Sequence, residues 1–237
     1  MSLTRTESVA VADGEFALHV WTPEGGAGGP GILLVQEVYG IGAYMKAVAE
    51  DLAALGYVVA APDLFWRLQP GWAAAHDDEG LQKSIELSSG FDPVKGLEDL
   101  EASLARLRKL PEMTGPVGLL GFCFGGTFAY LLGARADDVS AVVSFYGSGV
   151  PDQLELLDSI QCPLQFHFGG SDPYIPREKV AAVEKAVAGR ANVDMHVEED
   201  AGHAFHNRKA PMFYNPEPAA RAWRRTEEFL ARHLPTR

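Results

Sequence analysis

The chain has 237 residues, 47% of them hydrophobic and 22% charged, which excludes a disordered or membrane-embedded protein and leaves enough apolar surface for one large domain over residues 1–237. A formal net charge of −12 repels phosphate backbones and anionic lipid surfaces, so neither nucleic acid nor membrane is expected as a partner. Residues 1–14 carry no apolar run of the secretory kind, and no apolar stretch is long enough to span a bilayer; the expectation is a cytoplasmic protein, with a monomer consistent with the acidic, repeat-free sequence.

In chain order, residues 6–21 read as a hairpin turning at Asp13-Gly14, because Asp-Gly tolerates the positive φ angles of a tight turn. The Gly/Pro-rich stretch 23–30 reads as a loop. Five short, nearly continuous apolar runs follow, at 31–35, 57–61, 117–120, 141–145 and 164–168. Continuous rather than alternating apolarity predicts strands covered on both faces, as in a parallel sheet. Residues 193–197 alternate and are expected at an edge. Helical spacing over 44–55 ends at Gly56, and Asp92-Pro93 reads as N-cap and first helical residue ahead of Leu97, Leu100, Leu104 and Leu107. Further helices are expected over 178–187 and 218–233. Strand and helix alternation of this kind predicts a mostly parallel α/β sheet with helices on both faces. Residues 68–90 break the rhythm and read as an irregular excursion placed to overhang a site.

The strongest local signal is Gly121-Phe122-Cys123-Phe124-Gly125-Gly126, which follows the apolar run 117–120 and opens a potentially helical segment, 127–132. A sharp strand-to-helix turn with small neighbours is what a G-x-nucleophile-x-G elbow requires. It sets Cys123 at a helix N-terminus, where N–H groups and the macrodipole favour thiolate. Further on come Gly169-Gly170-Ser171-Asp172-Pro173 and Ala201-Gly202-His203, each just past a predicted strand. Nucleophile, acid, base is the chain order of the α/β-hydrolase triad, and strand C-terminal ends are where open α/β sheets carry their sites.

With these segments stand Gln36-Glu37-Val38-Tyr39-Gly40, Ala61-Pro62-Asp63-Leu64, Phe145-Tyr146-Gly147 and Ala204-Phe205. Together they make the sequence resemble the dienelactone hydrolase family from Gly31 to the final helix. The resemblance implies the α/β-hydrolase fold, hydrolysis of a lactone or small ester without any cofactor, Cys123 as nucleophile, His203 as base, and Asp172 orienting it. It further implies an oxyanion hole from the Val38 and Phe124 N–H groups, Glu37 as partner of the resting thiol, and Tyr39 and Tyr146 as pocket aromatics. The family's carboxylate-gripping arginines are not both present: residues 78–86 hold Lys83 but no arginine, Ile85 stands where a tyrosine is expected, and Arg208 is the candidate after His203. Other small esters or thioesters, or a non-catalytic binding role, are the competing expectations.

The remaining groups carry less. Cys123 and Cys162 do not form a disulfide framework, and Cys162 reads as structural. His167 and His196 read as packed strand residues. No His, Cys or carboxylate spacing suits a metal, and no phosphate-binding Gly loop is present.

Overall fold

The five continuous apolar runs become the middle of one sheet. In the computed structural model, which describes residues 3–236, eight strands form it: β1 (Leu3–Val11), β2 (Gly14–Thr22), β3 (Gly29–Val35), β4 (Val58–Pro62), β5 (Met113–Phe122), β6 (Ala141–Phe145), β7 (Leu164–Gly169) and β8 (Val193–Glu198). Met1, Ser2 and Arg237, which the sequence-based domain span includes, lie outside the described residues. The spatial order is β1-β2-β4-β3-β5-β6-β7-β8, antiparallel at β1/β2 and β2/β4 and parallel from there on. Every residue of β3, β4, β6 and β7 is buried, so both faces of the sheet are covered. β8 is the expected edge, with five of its six residues only half-buried.

Among the described residues six α-helices accompany the sheet, α1 (Ala43–Ala54), α2 (Asp78–Ser88), α3 (Pro93–Leu107), α4 (Phe124–Gly133), α5 (Arg177–Val187) and α6 (Pro216–His233), and all but α2 pack against its strands. α1 stops as expected ahead of Gly56, whose φ of 99° continues the chain where a side chain would be strained. α3 starts as expected: the Asp92 carboxylate accepts from the Val94 and Lys95 N–H groups, a cap worth about 1 kcal/mol. Leu100, Leu104 and Leu107 point from α3 into the core.

Two expectations need correcting. The hairpin forms, but its two-residue turn is Ala12-Asp13, because Val11 pairs with Gly14. Packing sets this register: a side chain at Gly14 would meet the Trp66 ring at 2.8 Å, and the Asp13 carboxylate is taken by Arg67 and Lys95. The excursion over 68–90 is not irregular throughout, since most of its second half is α2. Its start is capped by Asp77, which accepts from the Gly80 N–H, with Asp78 and Glu79 in the first turn.

The excursion is tied down at several points. Arg67 and Trp66 both donate to the buried Asp99 of α3. The Asp63 carboxylate, just past β4, accepts from the Phe65 and Gly71 N–H groups. Gly40 pairs with Ala73 in an isolated bridge, and Ala74 N–H donates to the Tyr39 carbonyl. A side chain at Gly40 would lie 1.9 Å from the Trp72 carbonyl oxygen, so only glycine lets these segments approach. These ties hold α2 over the C-terminal edge of the parallel strands.

Candidate active site

The elbow after β5 is built by steric exclusion. A Cβ on Gly121 would sit 2.0 Å from the Gly125 carbonyl oxygen, and one on Gly125 would sit 2.2 Å from that of Val35. With those glycines the chain turns from β5 straight into α4, and Cys123 takes φ 55°, ψ −118° at the N-cap. Its N–H donates to the Phe145 carbonyl (2.9 Å), which pins the strained residue to the neighbouring strand. The other two non-glycine residues with positive φ, among those described, are Tyr146 and Ala204, beside the same site.

The three residues picked out by chain order meet here. His203 Nε2 stands 3.0 Å from Cys123 Sγ, and His203 Nδ1 stands 2.7 Å from Asp172 Oδ2. Asp172 is held by its other oxygen, which accepts from the Tyr174 and Ile175 N–H groups. The imidazole lies between the rings of Tyr146 and Tyr174, with centroids 5.2 and 5.0 Å away. Burial opposes a charged ring, but the Cys123 sulfur and the Asp172 carboxylate outweigh it and push His203 up to about 10.

Of the two oxyanion-hole candidates, Phe124 opens α4 directly after Cys123 and Val38 follows β3. The Phe124 N–H is the first of α4, one of the four with no acceptor inside a helix. Val38 lines the cavity, and its own carbonyl is turned away to accept from Trp72 Nε1 (3.2 Å). Trp72 is therefore a strut behind the loop, not a cover on the cavity. Gln36 likewise ties strands together, accepting from the Leu64 N–H at 3.0 Å.

Glu37 departs from its expected role. The thiol's partner is His203, while the Glu37 carboxylate, 1% exposed, accepts from Asn207 Nδ2 (2.9 and 3.1 Å) and lies 3.1 Å from His76 Nε2. The physical reason is the strength of the alternatives: an amide and an imidazole offer strong donors to a buried carboxylate, where a thiol offers one weak one. Asn207 is itself aimed by accepting from the Lys209 N–H, and His76 stacks on Tyr39 with centroids 4.5 Å apart. Neither His76 nor Asn207 was singled out from the sequence; their only signal was proximity to the excursion and to His203.

The cavity over Cys123 has a volume of about 260 Å³. Glu37, Val38 and Tyr39 form one wall, and Leu81 and Ile85 of α2 form another. Ser148, Tyr174, Ala204 and Phe213 complete it around Cys123 and His203. Tyr39 is among the lining residues, whereas Tyr146 is not and is fully buried against Phe122 and His203. Arg208 does not reach it. Its guanidinium pairs with Asp51 (2.7 Å) and donates to the Ala47 carbonyl, both on α1, which corrects its assignment to substrate binding. Within this turn the inward position belongs to buried Asn207 and the outward one to exposed Arg208. Lys83 is also directed elsewhere, pairing one turn away with Glu79 on the open surface.

His206, for which the sequence carried no reading, and His167 and His196, read as packed strand residues, stand away from the cavity lining. His206 lies against Tyr44, its Nδ1 2.6 Å from the Tyr44 hydroxyl, and burial pushes it down to about 3. His167 is buried beside His196 and Thr226, and burial lowers it as well. Among the described residues, no group of three His, Cys, Asp or Glu side chains could hold a metal ion, and no helix is long and apolar enough to cross a membrane.

Comparison with known proteins follows the same lines. The model of the dienelactone hydrolase family matches residues 16–234. A carboxymethylenebutenolidase of Pseudomonas putida is 34% identical over 231 residues, covering 97% of each chain. Among solved structures, a dienelactone hydrolase-like promiscuous phosphotriesterase from metagenomic libraries superposes with a TM-score of 0.80 at 24% identity, covering 98% of this chain and 99% of its own. A dienelactone hydrolase from Anabaena variabilis superposes with a TM-score of 0.72 at 19% identity over the same shares. At those identities the structural likeness speaks for the fold.

Proposed function

The chain belongs to the dienelactone hydrolase family and is a hydrolase of the lactone and ester class, and from that premise we propose that it works through a thioester formed on Cys123. The observation that carries this reading is the unbroken line from Cys123 Sγ to His203 at 3.0 Å and from His203 to Asp172 at 2.7 Å. In the first half-reaction the Cys123 thiolate adds to the carbonyl carbon, and the oxygen gains charge facing the Val38 and Phe124 N–H groups. The ester C–O bond then breaks, and the His203 imidazolium gives its proton to the leaving alkoxide. In the second, water adds to the thioester carbon while neutral His203 takes its proton. The C–S bond breaks, the acid leaves, and the thiolate–imidazolium pair is restored. Asp172 holds the imidazole tautomer and balances its charge throughout.

In this reading Glu37 is a wall of the site rather than a proton acceptor for the thiol, because His76 and Asn207 already engage it. The enzyme acts on a small molecule, as one domain, a monomer in the cytoplasm. The charge of −12 supports a target other than nucleic acid.

Alkylation tests the reading. With p-nitrophenyl acetate and an unsubstituted enol lactone as substrates, iodoacetamide is expected to remove turnover in step with modification of a single thiol. Cys162 is a poor competitor for the reagent, since burial pushes its thiol above the ordinary range. Turnover that persists with Cys123 fully alkylated would contradict the mechanism and place the catalytic group elsewhere.

A further inference from the structure

The cavity over Cys123 offers an incoming substrate apolar surface on several sides. Leu81 and Ile85 come from α2, Tyr174 from the turn after β7, and Phe213 from the segment before α6. Ile85 and Tyr174 are 49% and 53% exposed, so three separate elements set large apolar groups at one mouth. Side chains of this kind are left in water where something apolar is to cover them.

The charges nearby point the same way. Among the described residues that line the cavity there is no lysine or arginine, and the one carboxyl group is that of Glu37. The two cations closest to it in sequence logic are committed elsewhere, Arg208 to Asp51 and Lys83 to Glu79. His76 and Asn207 spend their donors on Glu37. What remains for a substrate is neutral. The Tyr39 hydroxyl is buried without a hydrogen-bond partner, and Ser148 adds a neutral hydroxyl-bearing residue to the lining.

Resting on the reading that Cys123 is acylated, we infer that the substrate group seated in this cavity is uncharged and apolar, so that the enzyme selects neutral lactones and esters over carboxylate-bearing ones. A substrate carboxylate seated there would lose its water, find no cation and face Glu37. The net charge of −12 adds a field that slows its approach.

The test uses two esters of matched shape, p-nitrophenyl butyrate and mono-p-nitrophenyl succinate, in which a carboxylate replaces the terminal methyl, each rate being read above enzyme-free hydrolysis because the succinate carboxylate itself displaces p-nitrophenoxide to form the cyclic anhydride. The wild-type enzyme is expected to favour the butyrate by roughly 100-fold in kcat/KM, the cost of leaving a charged group unpaired. Ile85→Arg, at a half-exposed position that tolerates a long side chain, is expected to narrow that ratio by about 10-fold, chiefly by lowering KM for the succinate. Equal or faster hydrolysis of the succinate, lost in Cys123→Ala, would overturn the charge selection while leaving the nucleophile in place. An Ile85→Arg ratio identical to wild type would overturn the placement of the selection at this wall. Turnover of both esters that survives Cys123→Ala would overturn the underlying mechanism and the inference with it.

Discussion

Cys123→Ala is expected to lower kcat/KM by roughly 10⁴-fold or more for any ester the enzyme turns over, with stability changed by no more than about 1 kcal/mol. The two halves of that expectation have different origins. The loss of activity follows from removing the one atom that can bond to the carbonyl carbon, 3.0 Å from the imidazole that serves it. The retained fold follows from what sets the elbow. Gly121 and Gly125 make the turn possible, and the Cys123 N–H bond to Phe145 does not involve the side chain. Alanine meets the same positive φ that cysteine already tolerates. Cys123→Ser separates geometry from ionisation. It keeps a nucleophile of similar shape, yet a hydroxyl does not share a proton with imidazole as a thiol does, so a loss of about 10²-fold or more is expected. Steady-state kinetics and thermal unfolding of the two variants check both halves. Serine activity equal to wild type would mean that the site does not depend on a preformed thiolate.

Asp172→Asn is the second large effect, expected at about 10³-fold in kcat/KM with a parallel fall in the rate of Cys123 alkylation. The parallel fall is the informative part. Asp172 has two jobs: one oxygen caps the turn by accepting from the Tyr174 and Ile175 N–H groups, while the other faces His203 Nδ1 at 2.7 Å. An asparagine carbonyl still serves the turn, so the loop survives. Its amide then presents a donor to Nδ1, which favours the tautomer that carries its proton on Nε2 and has no lone pair for the sulfur side. The imidazolium also loses the carboxylate that helps raise it to about 10, and the thiolate loses its counter-ion. Loss of turnover with wild-type alkylation kinetics would show that Asp172 acts on something other than the thiolate–imidazolium pair.

The meeting of Cys123, His203 and Asp172 was readable because each residue announces itself locally and the topology does the rest. An apolar run followed by Gly-x-Cys-x-Gly can only turn one way, and parallel strands deliver Cys123, Asp172 and His203 to the same edge of the sheet. Asp172 also caps its own turn, since one oxygen accepts from the Tyr174 and Ile175 N–H groups while the other faces His203. The helix within the excursion was harder to see. Its apolar residues Leu81 and Ile85 face the cavity mouth rather than a core, so the pattern that marks a packed helix is thin, and only Asp77-Asp78-Glu79 signalled a start. The surroundings of Glu37 were out of reach for a different reason: its partners His76 and Asn207 lie 39 and 170 residues away, and neither spacing carries a signal. The misplacement of Arg208 turned on a single residue in a tight turn, where neighbours point to opposite sides and composition cannot say which is inward.

That leaves the substrate wall as the point where this chain departs most from what resemblance implies. Cys123, Asp172 and His203 stand on the loops after β5, β7 and β8, whereas much of the cavity's apolar lining comes from α2 and the segment around Phe213. The two can vary separately, because one is fixed by strand ends and the other by a strap hung over them.

The most direct test of the central claim is the intact mass of the enzyme after acid quench during turnover of p-nitrophenyl butyrate, followed by peptide mapping. The account predicts a transient butyryl adduct on the peptide carrying Cys123, lost on standing at neutral pH and absent from Cys123→Ala. Turnover at full rate with no acyl adduct on that peptide, or an adduct residing on another side chain, would contradict it.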